Sequence, residues 1–225
     1  MNKLLITTAA LTTAIAATAA PRPAYDTGST EFYYSKAQVG YTWSQIAADD
    51  GQTEVAGPET LVVGASYPVN ELVFVNGGYQ RASIDNTIAS IDNNLISITT
   101  DSTTQTFTIG GGARFPIAMD VDFNVGASYN WQNNETQSVA GSTILATNQS
   151  STNFAAFNAG LLMTLPDTGL YTAANFELGL LEKTQTNIGA EVGFRPSDQF
   201  SVAATGKFDT DFTTTTLGVV GNLHF

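Results

Sequence analysis

The feature that most constrains this chain is a strand–turn–strand unit that recurs four times. In each copy an apolar, glycine-containing stretch runs into a turn holding proline, and a second alternating stretch leaves it. The copies are Val62 to Val75 around Tyr67-Pro68, Ile109 to Val125 around Phe115-Pro116, Ala159 to Ala174 around Leu165-Pro166, and Ile188 to Val202 around Phe194-Arg195-Pro196. Proline fixes φ and removes a ladder donor, so each of these points ends strand pairing and sets a turn. Between the units, Ser44 to Gly57, Ser83 to Thr103 and Gln132 to Thr152 are rich in Asp, Asn, Ser, Thr and Gln and read as long polar loops.

Four hairpins, a first strand near Tyr33 to Trp43 and a last near Thr214 to Phe225 make ten strands. The count falls to eight if Glu71 to Gln80 or the link Leu181 to Thr186 is not a strand. Period-two alternation carries the assignment. Val121, Phe123, Val125, Ala127, Tyr129 and Trp131 share one face, and Asp122, Asn124, Gly126, Ser128 and Asn130 share the other. Phe200, Val202, Ala204, Gly206 and Phe208 repeat the pattern, as do Phe157, Ala159, Leu161, Met163 and Leu165. A soluble sandwich would put charges on its outer face. Here the polar face is Gly, Ser, Thr and Asn, which suits a narrow lumen enclosed by an apolar exterior.

Composition narrows this further. Only 12% of the residues are charged, about half the share of an ordinary soluble domain. Beyond the first twenty residues, no stretch is apolar for the ~20 residues a membrane-spanning helix requires. Strands that face lipid on one side account for both facts, and short turns at one end with long connections at the other are the asymmetry of a transmembrane β-barrel. The expected fold is therefore all-β, a closed antiparallel barrel. A net charge of -12, with no basic patch to neutralise phosphates, argues against nucleic acid as a partner. The absence of cysteine fits an oxidising compartment.

The N-terminus reads as a secretory signal. Asn2 and Lys3 start it, an Ala- and Thr-rich apolar run follows from Leu4 to Ala16, and Ala17-Thr18-Ala19 supplies a small-residue cleavage pattern. The expected organisation is a signal peptide over residues 1–19, cut after Ala19 or Ala20, a short periplasmic segment over 20–30, and a barrel over 31–225. An even strand number puts both termini on the periplasmic side.

Aromatic residues sit where membrane interfaces should fall. Tyr41, Trp43, Tyr129 and Trp131 lie at the loop ends of their strands, and Tyr67, Phe115, Phe194, Phe200 and Phe225 at the turn ends, which predicts two girdles at the headgroup levels. In the last strand Leu217, Val219, Gly221, Leu223 and a terminal Phe225 occupy one face. An alternating apolar strand ending in Phe resembles the assembly signal of bacterial outer-membrane barrels, and the whole is similar to small barrels of the OmpA/OmpX type. That resemblance implies an integral outer-membrane location in a Gram-negative envelope. The partners it implies are outer-membrane lipid, lipopolysaccharide and, through the last strand, the barrel-assembly machinery. No further domain is expected beyond that strand.

Once the signal is removed, seven cations remain: Arg22, Lys36, Arg81, Arg114, Lys183, Arg195 and Lys207. Lys36, Arg114, Arg195 and Lys207 fall on predicted inward positions, as do Asp122, Glu177 and Glu191. Unpaired charge in a confined interior is costly, so these seven side chains are expected to form one mutually satisfied lumen network. It can act as a plug of ion pairs or as the selectivity lining of a narrow porin-like channel. A barrel of about eight strands is filled by its side chains, whereas open aqueous channels come with ~16, which favours the plug.

Catalytic signatures are weak. The sole histidine, His224, lies on the inward face at the turn-end rim, where a solvated position near Ser197 and Asp198 is expected, without a nucleophile-elbow pattern. Gly110-Gly111-Gly112 lacks the lysine and helix of a phosphate loop and fits close packing within a strand. Asp49, Asp50 and Glu54 match no calcium loop. Neither enzymatic activity nor a cofactor or metal is expected. The proposed roles are surface structure or interaction, with the channel as the alternative.

Overall fold

The computed structural model describes residues 30–47, 54–91, 94–140, 143–165, 168–180, 184–210 and 213–225. The expected signal sequence and cleavage site, Arg22, Lys183, Asp49 and Asp50 lie outside them. The expected periplasmic segment does so except for Thr30. A 3-10 turn, Thr30–Tyr34, is followed by ten strands: β1 (Lys36–Ala47), β2 (Glu54–Pro68), β3 (Val73–Ile91), β4 (Asn94–Ala118), β5 (Val121–Ala140), β6 (Thr143–Leu165), β7 (Leu170–Leu180), β8 (Thr184–Ser197), β9 (Phe200–Asp209) and β10 (Thr214–His224). Every strand pairs antiparallel with its sequence neighbours, and β1 pairs with β10 from Lys36↔His224 to Ile46↔Thr214, so the sheet closes into a barrel. Ten strands is the higher of the two expected counts.

The four expected turns join β2 to β3, β4 to β5, β6 to β7 and β8 to β9, but the prolines do not end the pairing: Pro68, Pro116 and Pro196 lie within β2, β4 and β8, and the ladder runs on through Pro68↔Phe74 and Pro116↔Asp122, while Pro166 lies outside the described residues. Two of the turns show why the chain reverses there. Asn70 Oδ1 accepts the backbone N–H groups of Leu72 and Val73, both at 2.8 Å, and so closes the β2–β3 turn. Gly169 has φ +70°, and a β-carbon on it would sit 2.6 Å from the Arg195 carbonyl oxygen, so the β6–β7 turn requires glycine. The start of β1 and the end of β10 meet at this end of the barrel. The Phe225 N–H donates to the Ser35 carbonyl at 3.3 Å, and the Ser35 hydroxyl donates back to the Phe225 carbonyl.

Two further expectations need correction. The first strand does not begin at Tyr33, because residues 30–34 form the 3-10 turn and β1 starts at Lys36. The three long polar segments are not irregular loops. Most of their length is strand, and β3, β4, β5 and β6 run for 19, 25, 20 and 23 residues, against the ~9–11 that cross a bilayer. Paired side chains hold the extensions together: Thr100 with Ser138 at 3.3 Å, Ser102 with Thr136 at 3.2 Å, and Thr104 to Asn134 Oδ1 at 2.8 Å. The barrel thus raises a four-stranded polar sheet beyond its wall.

The wall itself is inverted relative to a soluble protein. Phe157, Leu161, Ile188, Val192, Phe194, Phe200, Leu217 and Val219 all point outward and are exposed. An apolar surface of this extent is stable only against lipid or a partner. No helix among the described residues is long and apolar enough to cross a membrane, which leaves the strands to do it.

Candidate functional site

Eight of the nine predicted girdle residues face outward, Phe225 being half-buried. Tyr41, Trp43, Tyr67, Phe115, Tyr129, Trp131, Phe194 and Phe200 are between 42% and 57% exposed. The reading of the sequence overlooked Tyr79, Phe107 and Phe123. Tyr79, Phe107 and Trp131 stand side by side in register across β3, β4 and β5. The Tyr79 and Phe107 rings are 4.9 Å apart, Trp131 packs edge-on to Tyr129 at 4.8 Å, and Phe115 lies 6.3 Å from Phe123. These three were missed because a single aromatic within a strand carries no level until register aligns it with its neighbours. Leu217, Val219 and Leu223 take the outward face of β10, with Gly221 among them, and Phe225 stacks on Tyr67 at 6.3 Å.

Inside, the seven predicted charges lie on lumen-facing register positions of their strands, but the structure divides them into separate groups. Arg114 and Asp122 form a buried pair, Nη1 to Oδ2 at 3.3 Å, and Arg114 Nε also donates to the Glu71 carbonyl at 2.5 Å. Lys207 Nζ donates to Glu177 Oε1 at 3.0 Å, and Asn187 Nδ2 donates to the same oxygen at 3.2 Å. Both side chains of that ion pair are nearly half exposed. Arg195 pairs at the rim with Asp198, 2.9 Å away, which no reading of the lumen had included. Lys36 and Glu191 meet through a third residue, the ring of Tyr33.

Tyr33 and Tyr34 are the residues that the sequence did not reveal. The 3-10 turn projects them into the lumen at the turn end, where each engages one side of the barrel. Tyr33 donates its hydroxyl to Glu191 Oε2 at 3.3 Å, packs edge-on to Tyr171 at 6.1 Å, and carries the Lys36 ammonium 3.6 Å from its ring centre. Tyr34 packs on Phe74 at 4.9 Å, with the Arg114 guanidinium 5.5 Å from its ring. The residues engaged come from β7 and β8 on one side and from β3 and β4 on the other. Burial first, then the Glu191 carboxylate, pushes the Tyr33 phenol well above its ordinary range; burial and then Asp122 do the same for Tyr34. Both phenols stay neutral and keep their protons.

Around the tyrosines the lumen is closely packed. Tyr34, Phe74, Leu162, Tyr171 and Ala203 form an apolar cluster. Tyr171 fits because β8 has glycine opposite it: a β-carbon on Gly193 would overlap the Tyr171 ring. His224 is not the solvated rim residue expected. It is 4% exposed, and its Nε2 lies 2.8 Å from the Ser201 hydroxyl, which also accepts from Asn222 Nδ2 at 3.1 Å. Both residues lie on the inward faces of β9 and β10, and His224, although it is the last residue of its strand, is covered there. The Gly110–Gly112 run lies within β4. A β-carbon on Gly112 would collide with the Val125 carbonyl of β5, which is the close packing expected of it.

Closed topology, an apolar exterior, aligned aromatic rows and a polar lumen describe an outer-membrane barrel, and comparison with known proteins gives the family. The model of the outer membrane protein beta-barrel domain matches residues 7–180. This chain belongs to that family. The outer-membrane barrel also resembles solved structures. The translocator domain of the autotransporter NalP from Neisseria meningitidis is 13% identical, with a TM-score of 0.53 over 84% of this chain and 87% of that one. The beta domain of the Bordetella autotransporter BrkA is 13% identical, with a TM-score of 0.50 over 85% and 100%. Ail, the attachment invasion locus protein of Yersinia pestis, is 15% identical, with a TM-score of 0.40 over 84% and 96%. At these identities the likeness is one of fold. No curated protein matches the sequence.

Proposed function

We propose that this outer-membrane barrel is a non-conducting, non-enzymatic surface protein, closed at the turn end of its lumen and presenting its polar sheet for interaction. The observation that carries this reading is the Tyr33–Tyr34 pair, anchored to Glu191 and Tyr171 on one side and to Phe74 and Arg114 on the other. The buried Arg114–Asp122 pair and the Tyr34, Phe74, Leu162 and Tyr171 cluster fill the same level. In this reading the turn end faces the periplasm, β10 with its Phe225 end engages the assembly machinery, and the sheet stands outside the cell among lipopolysaccharide.

The narrow porin-like channel requires the two tyrosines to leave the lumen. Single-channel conductance of the mature chain refolded in a planar bilayer separates the readings. The closed reading predicts silence from wild type, and salt-dependent steps from Tyr33→Ala/Tyr34→Ala, with both proteins shown folded by heat-dependent gel mobility. Ohmic steps from wild type overturn it.

A further inference from the structure

Above Ala155 the partner of β6 among the described residues is β5 alone, because β7 pairs with β6 only from Ala155↔Leu180 to Leu165↔Leu170. The raised sheet therefore has two faces in water, and the two differ. Even-numbered residues of β4 and β5 continue the lumen face, where side chains satisfy one another. Thr104 donates to Asn134 Oδ1 at 2.8 Å, Gln132 Nε2 donates to the same oxygen at 3.1 Å, and Ser102 meets Thr136 at 3.2 Å. Odd-numbered residues continue the lipid face beyond Phe107 and Trp131. There two register rows, Gln105–Asn133–Ser151 and Thr103–Glu135–Gln149, run across β4, β5 and β6. Directly opposite residues have β-carbons only ~4.5–5.5 Å apart. Yet among the described residues none of these six side chains makes a hydrogen bond or an ion pair.

The six line a recess of about 390 Å³, within the range of small-molecule sites. Every lining residue is an amide or a hydroxyl except Glu135. An amide offers donor and acceptor together, a hydroxyl does either, and a carboxylate accepts from two neighbouring hydroxyls at once. That set matches a ring whose substituents are themselves hydroxyls. Trp131 supplies the complementary apolar contact. It lies two residues below Asn133 on the same face, about 7 Å along the strand, and its ring is 42% exposed. The C–H face of a pyranose packs on such a ring. Charge excludes anionic sugars. Asp85 and Asp101 stand opposite each other on this face, which they share with Glu135, whereas Arg81 lies opposite Gln105 and outside the recess. Phosphate, sulfate and carboxylate are therefore repelled.

We propose that this recess binds a neutral sugar, with Trp131 stacked on the pyranose ring and Gln105, Asn133, Glu135 and Gln149 holding its hydroxyls. The inference deepens the surface role proposed above by naming a ligand class for the sheet. A conducting barrel would leave it intact, and a sheet that binds no sugar would leave the closed lumen intact. Because the recess lies just beyond the aromatic girdle, a neutral sugar reaches it either from a free glycan or from a glycolipid headgroup of the same leaflet.

The test uses the mature chain with Trp43→Phe, which leaves Trp131 as its one tryptophan. The barrel is refolded in an amine-oxide detergent, because glycoside detergents carry the ligand themselves. Cellobiose, lactose and diacetylchitobiose are titrated against Trp131 fluorescence, with sulfated lactose as the anionic counterpart. At least one neutral disaccharide should shift the emission saturably, and sulfated lactose should bind roughly tenfold more weakly than lactose or not at all. Asn133→Ala and Glu135→Ala should each weaken binding roughly tenfold, whereas Thr104→Val on the inner face should leave it unchanged. In a second arm the barrel sits in phosphatidylcholine vesicles with or without a neutral galactosyl diacylglycerol. A shift with free disaccharide assigns the sugar to a soluble glycan, and a shift in the vesicle arm alone, removed by Glu135→Ala, assigns it to a lipid headgroup. Silence in both arms, sulfated lactose bound as tightly as lactose, or Thr104→Val as damaging as Glu135→Ala in barrels that keep heat-dependent mobility would each overturn the proposal.

Discussion

Replacing Arg114 with Met removes one partner from a pair that water hardly reaches. The side chains of Arg114 and Asp122 are 10% and 1% exposed, and the two are held at 3.3 Å. The methionine leaves the Asp122 carboxylate buried without its cation and the Glu71 carbonyl without the Arg114 Nε–H at 2.5 Å. Loss of one member of a buried pair costs about 3–5 kcal/mol, so Arg114→Met should lower unfolding stability by that order. Replacing both, as Arg114→Met/Asp122→Leu, should recover most of the loss, because no stranded charge remains. The Glu177–Lys207 pair is the internal control. It is nearly half exposed on both sides, so Glu177→Gln should cost about 1 kcal/mol or less. Urea unfolding from lipid vesicles, followed by the fluorescence of Trp43 and Trp131, measures all four proteins. An Arg114→Met barrel within about 1 kcal/mol of wild type, or a Glu177→Gln barrel as weak as Arg114→Met, would refute the reasoning from burial.

Two further outcomes follow from the same lumen. The Tyr33 and Tyr34 phenols are raised above their ordinary values, so the folded barrel keeps protons that the unfolded chain loses near pH ~10. Their contribution should be complete below about pH 10 and decline as the pH rises further, and the decline should be shallower in Tyr33→Phe/Tyr34→Phe when urea midpoints are compared from pH 8 to 11; equal slopes would contradict it. Gly193→Ala forces a β-carbon into the Tyr171 ring and should cost about 1–3 kcal/mol. In a Tyr171→Leu background, measured by the same unfolding assay, most of that cost should disappear.

How far the sequence was legible depends on whether a segment meets two environments or one. Inside the membrane each strand has lipid on one side and a polar lumen on the other, so β5 alternates cleanly from Phe123 to Trp131 and can be read residue by residue. Beyond Trp131 both faces of the sheet meet water. The hydrophobic contrast vanishes, and Thr, Ser, Asn and Gln in a strand then look like a loop. Ladders such as Ser102 with Thr136 and Thr104 with Asn134 exist only once β4 and β5 are aligned. Within the lumen, alternation gave the side on which Arg114, Asp122, Glu177, Glu191 and Lys207 lie but not their distances. It therefore suggested one network, where the structure has a buried pair, a half-exposed pair and a tyrosine held between a lysine and a glutamate.

By itself the sequence determined a closed antiparallel barrel of ten or eight strands, where its hairpins reverse, its apolar exterior and the inward set of charges, because period-two alternation and turn chemistry are local. Tertiary structure alone decided that Tyr33 and Tyr34 leave the strand pattern and enter the lumen, that His224 is buried against Ser201, and that β6 outruns β7 to leave an edge uncovered. Each of these depends on elements distant in sequence, whose positions only closure of the sheet brings together.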